Sequence, residues 1–211
     1  MATGCGTGRR AGTILALAAL LAAGCAVGDF NLAANRTRRG DVALAVGNVS
    51  LGRGAALTGG VTLKAGNVTA AAGARIGGPV AVVNGNIELG DSVSAVALDV
   101  GNGLIRLGRG ARVSGAVELN NGLIDLDGGR VDGPVSLVRG RLEARAGSLL
   151  AGGVHVDNPS PLPGDSTIGI IRNGAAVRGT IAVEGHARLV IEAGADTAGV
   201  RLAGSAPRPH E

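Results

Sequence analysis

The 211-residue chain has no tryptophan, no tyrosine and a single phenylalanine, Phe30. Aromatic rings are the usual large, flat anchors of a binding surface, so a lectin or a pectin-cleaving role loses its customary platform. Cysteine is almost as scarce: Cys5 and Cys25 are the only two. If Cys5 lies in a removed leader, one thiol is left and no disulfide can form within the mature chain. Charge is nearly balanced. Twenty basic and 16 acidic residues give +4, and removing Arg9 and Arg10 with a leader leaves 18 against 16. A nucleic-acid reader needs a basic stripe, which this balance does not supply. The stretch from Ile14 to Leu21 is apolar but too short to span a bilayer. The calcium-binding nonapeptide, a phosphate-cradling loop and a Ser-His-Asp constellation are also missing.

What the chain does have is a period. Gly47, Gly66, Gly85, Gly103, Gly122 and Gly140 recur every 18 or 19 residues, each within the same apolar frame. Aliphatic residues stand five and three places before each glycine and two and four places after it. Val80, Val82, Gly85, Ile87 and Leu89 show the pattern, as do Leu98, Val100, Gly103, Ile105 and Leu107. A third apolar pair closes each unit, as in Ala55 and Leu57, Ala74 and Ile76, Val93 and Ala95, Ala111 and Val113. Alternation at period two marks strands, three per unit. So short a unit cannot bury its own inward faces, but stacked copies can. The expected fold is all-β: a three-sided parallel β-solenoid of about eight coils. The six glycines serve as turn residues, and Asn84, Asn102 and Asn121 before them tolerate positive φ. Asn48, Asn67 and Asn86 just after the glycine either stack as an amide ladder along the axis or only serve the turns.

The chain divides into four regions. Residues 1–24 read as a lipoprotein signal peptide, with Arg9 and Arg10 as its basic start and a lipobox-like Leu21-Ala22-Ala23-Gly24 before Cys25. Cys25 is the expected lipidation site, and Ala26 after it resembles the outer-membrane sorting class. Residues 25–40 are expected to be a tether, with Phe30 and Leu32 capping the first coil. Residues 41–203 form the solenoid, and 204–211 a polar tail. Within the solenoid, Val154, Val156 and Asn158 begin a coil that breaks at Pro159. Ile181 and Val183 open the next, so this coil carries about eight extra residues, and a proline-rich loop near 159–166 must leave the sheet.

Chemistry-bearing residues are few. His155 falls at an outward position and His186 at the anchor position of the eighth coil, while His210 lies in the tail. Their offset does not stack them, and solvated histidines are expected. Asp125 and Asp127, two apart on one side, are expected to be surface carboxylates. Glu88, Arg106 and Asp125 fall three places after successive glycines and predict a column of alternating sign, with Glu143 facing Asp125 as a like charge. No catalytic, cofactor or metal site is expected.

The rungs Gly110-Ala111-Arg112-Val113-Ser114-Gly115-Ala116-Val117 and Gly174-Ala175-Ala176-Val177-Arg178-Gly179-Thr180-Ile181 resemble those of bactofilins, polymer-forming cytoskeletal proteins of bacteria. The likeness covers most of residues 41–203. It implies right-handed coiling and end-to-end polymerisation, while the repeated Asn-Gly-x-Ile phrase and late proline insert also resemble exported solenoid proteins of proteobacteria. The expected function is a non-enzymatic, lipid-anchored scaffold or self-assembling solenoid of the cell envelope, facing the periplasm or exterior. Its expected partners are the membrane through Cys25 and other copies of itself, with an envelope polymer as a further candidate, but not nucleic acid. An adhesin-like or polymer-binding module is the alternative, and a hexapeptide-type acyltransferase or zinc enzyme the third reading.

Overall fold

The computed structural model describes residues 26–159 and 167–204. Cys25, most of the proline loop (160–166) and His210 lie outside them. The described chain is a parallel β-solenoid of about nine turns. Three ladders run along it. In the first, Val42–Val46 pairs with Val61–Ala65, which pairs with the first half of Val80–Leu89. In the second, Phe30–Leu32 pairs with Val49–Leu51 and that with Val68–Ala70. From Val80–Leu89 to Val135–Ala144 these two ladders are joined in continuous strands that run through the glycine position. Two-residue strands such as Ala56–Leu57, Arg75–Ile76 and Ser94–Ala95 make the third.

The register follows the frame read from sequence. Leu98, Val100, Ile105 and Leu107 sit opposite Val117, Leu119, Ile124 and Leu126. All eight are at most 1% exposed. The third-ladder pairs fill the remaining wall, with Ala55, Leu57, Ala111 and Val113 also at most 1% exposed. Each inward residue thus packs on its equivalent one turn away, and burial of aliphatic surface continues uninterrupted along the axis.

The ladder begins earlier than the glycine repeat suggested. Within the expected tether, Phe30–Leu32 and Thr37–Arg38 are already paired with the next turn. Gly28, with φ of +139°, starts the glycine column one turn before Gly47. Phe30 is half-buried against the core, and the Arg38 guanidinium lies 4.9 Å from its ring centre.

The asparagines form the amide ladder. Nδ2 of Asn67 donates to Oδ1 of Asn48 at 3.1 Å, and Nδ2 of Asn86 to Oδ1 of Asn67 at 3.0 Å. The backbone N–H of each upper residue reaches the same oxygen, at 3.2 and 3.1 Å. Asp29 begins the column, accepting from Nδ2 of Asn48 at 3.0 Å. An ionised carboxylate can only accept, so it fits the end of this chain of donors and not its middle. A second amide column links Asn102 to Asn84 at 3.1 Å.

The insert leaves and rejoins without disturbing the ladders. Val154–Val156 pairs with the first half of Val135–Ala144, and Thr167–Ile171 resumes on its second half, with Arg141 opposite Ile168. That register sets Thr167 beside Gly140, in the place of the next glycine. Its side chain is fully buried and its hydroxyl donates to the Val138 carbonyl at 3.1 Å. Ala187 stacks on Thr167, so Ala187 and not His186 holds the anchor position of the following turn. The turn Glu184–His186 takes one residue more than its predecessors, which moves the histidine off the column.

Candidate functional site

Two kinds of place on the rod are available for function: its faces and its ends. On the faces, the predicted charge column is in register, with Glu88, Arg106, Asp125 and Glu143 in consecutive turns. Asp125 is not the solvated carboxylate expected from sequence. It is only 4% exposed, because Arg106 and Arg145 lie over it at 3.4 and 3.5 Å. Its partner Glu143 is met by Arg141 at 3.1 Å, Arg145 at 3.5 Å and Arg172 at 3.0 Å. Burial pushes the Glu143 carboxyl up, but the Arg172 hydrogen bond and the three guanidinium charges outweigh it and hold the group below its usual range. Arg172 continues to Glu192 at 2.6 Å, so the network from Arg106 to Glu192 spans five consecutive turns. Asp127 is half-buried and does not join it.

On the third ladder, Arg112 and Arg130 stack directly, a like-charge contact that Asp132 resolves by bonding both. Those hydrogen bonds, from Arg130 first and then Arg112, hold the Asp132 carboxyl below its usual range. These carboxylates are consumed by structural pairing, which explains their residue types without substrate chemistry. The sequence showed the Glu88–Arg106–Asp125 alternation but not Arg145 or Arg172, whose positions depend on turn geometry and on the insert.

His155 and His186 are not brought together as an imidazole pair. His155 instead lies with Asp157 and Glu184, and one ligand atom from each falls within 4.8 Å of the others. This is the one such group among the described residues. Sequence spacing concealed it, because the insert separates Glu184 from Asp157 by 27 residues although their turns are adjacent.

The ends are of a different character. At the C-terminal end the last rungs are Arg201–Gly204 and Ala187–Ile191, each paired on one side only among the described residues. Their apolar side chains stand open: Leu202 is 79%, Val190 49% and Ile191 42% exposed. At the other end Phe30–Leu32, Thr37–Arg38 and Val42–Val46 are likewise paired on one side, apart from a lone bridge of Val27 to Val46. Val27 is 73% and Val46 51% exposed.

Comparison with protein-family models, with curated proteins and with solved structures finds no match to this chain.

Proposed function

We propose that the chain is a structural, non-enzymatic lipoprotein of the cell envelope that builds a scaffold by stacking end to end. The observation that carries this reading is the pair of open ladder ends. Among the described residues, each presents unpaired backbone donors and acceptors beside exposed aliphatic side chains, Val27 at one end and Ile191 and Leu202 at the other. A sheet edge of this kind is a template for another strand. Because the two ends differ, joining them is a head-to-tail contact that does not close on itself, and its product is a filament. The bactofilin-like rungs point the same way.

Anchoring is assigned to Cys25, with Ala26 favouring the outer membrane. A single acyl chain binds a membrane only marginally, whereas the multiple chains of a bacterial lipoprotein hold it firmly. A scaffold needs that permanence more than a diffusing binder does.

The test is electron microscopy of the concentrated protein beside the Ile191→Lys and Leu202→Lys variants. Both positions are well exposed, so the fold tolerates the change. Filaments one rod wide in the wild type, lost in the variants, support the reading. Isolated rods in every sample overturn it.

A further inference from the structure

We infer that His155, Asp157 and Glu184 form a binding site for a divalent first-row transition ion, which clasps the two turns on either side of the proline insert. Val154–Val156 places His155, and Asp157 follows it directly. Period-two geometry turns these two side chains to the same side of the strand. In the next turn Val156 stacks on Val183, so Glu184, the residue after Val183, arrives beside Asp157. Backbone hydrogen bonds hold that juncture: Glu184 N–H donates to Val156 O at 2.9 Å, and Asn158 N–H to Glu184 O at 3.3 Å.

Charge distinguishes this cluster from the rest of the rod. Stacked carboxylates repel. Where Asp125 meets Glu143 the solenoid supplies four arginines. Asp157 and Glu184 make no ion pair among the described residues, and an imidazole stands beside them instead. Asp99 and Glu118 are also stacked, but their other register neighbours are Ala81 and Ser136, so that pair offers two donors and no third. Among the described residues, only at Asp157 does a stacked carboxylate pair gain a nitrogen ligand.

The space over the carboxylate is kept open by a glycine. Gly185 has φ of +62°, and a Cβ there would lie 2.1 Å from the Asn158 carbonyl oxygen and 3.1 Å from Oδ1 of Asp157. Ligand atoms within 4.8 Å of one another need side-chain movement of about 1 Å to meet one ion at metal-ligand distances of about 2.1 Å. One imidazole nitrogen with two carboxylate oxygens suits zinc or its first-row neighbours, whereas calcium and magnesium prefer all-oxygen shells. Three protein ligands leave at least one coordination position for water.

The experiment uses the full chain carrying Cys5→Ser and Cys25→Ser, so that no thiol competes, stripped with a chelator. Zinc is titrated by calorimetry and cobalt by visible absorbance. One ion per chain is expected, together with a higher unfolding midpoint in zinc. His155→Ala and Glu184→Gln should each weaken binding by more than the roughly 10- to 100-fold lost with an outer-shell partner. His186→Ala should bind as the parent does. Circular dichroism confirms that each variant retains the solenoid. Absence of saturable zinc binding, zinc affinity unchanged by His155→Ala, or calcium binding in preference to zinc would each overturn the assignment.

Discussion

Gly85 stacks on Gly66 so closely that a Cβ on Gly85 would sit 1.7 Å from the Gly66 carbonyl oxygen. The same contact recurs from Gly47, which meets Gly28, to Gly140, which meets Gly122, with separations of 1.7 to 1.9 Å and φ between +118° and +148°. These glycines are required twice, once for backbone conformation and once because the neighbouring turn occupies the space of a side chain.

Gly85→Ala is therefore expected to cost more than about 4 kcal/mol, in the range that marks a specific steric failure. Gly73, with φ of +72°, separates the two effects, because a Cβ there would meet no atom nearer than 4.0 Å. Gly73→Ala meets only the left-handed backbone cost, about 1 to 2 kcal/mol. Urea unfolding of both variants measures the difference.

The like-charge contact between Asp125 and Glu143 makes the arginines around it interdependent. Arg172→Ala should lower the unfolding midpoint, by less than loss of a buried pair would, because solvent reaches the guanidinium. In a Glu143→Gln background the same substitution should cost less, since one of the two carboxylates that Arg172 answers is then neutral and only Glu192 remains. A double-mutant cycle by thermal unfolding reads the coupling directly.

Acid should weaken the fold. The carboxyls of Asp132, Glu143, Glu192 and Asp196 are all held below their usual values of 3.8 for Asp and 4.5 for Glu. A depressed folded-state value means stabilisation that is complete above the unfolded value and is lost as pH falls through the folded one. Asp99 runs in the opposite direction, because burial raises it, and its contribution is present in acid and lost as pH rises through the raised value. Four groups outweigh one, so the unfolding midpoint should hold near neutrality and decline below about pH 4. Unfolding curves between neutral and strongly acidic pH check this; a midpoint that rises on acidification contradicts it.

Much of this was legible from residues. The inward frame of Val80, Val82, Ile87 and Leu89 and its equivalents is a period-two pattern repeated in register, and stacking preserves that information. The first turn was harder to see, since Gly28 is followed by Asp29 where later turns carry asparagine, and its chemical equivalence as the acceptor end of the amide column emerges only in the structure. Burial of Asp125 was not legible because arginines from neighbouring turns, and not its own strand, cover it. The His155–Asp157–Glu184 cluster was hidden by the insert, which breaks the 18- or 19-residue arithmetic while leaving the ladders intact.

Lipidation of Cys25 has a simple readout. Cells fed labelled palmitate should incorporate it into the wild-type chain, and Cys25→Ser should lose the label and move from the membrane to the soluble fraction. A labelled Cys25→Ser chain would contradict anchoring at this residue.

The most direct test of the central claim is sedimentation velocity of the chain from residue 26 onward across a wide concentration range, detected by interference because tryptophan and tyrosine are absent. Stacking through the open ends predicts a series of heavier species that lengthens with concentration and is suppressed by Leu202→Lys. A single monomeric boundary at every concentration would contradict end-to-end assembly.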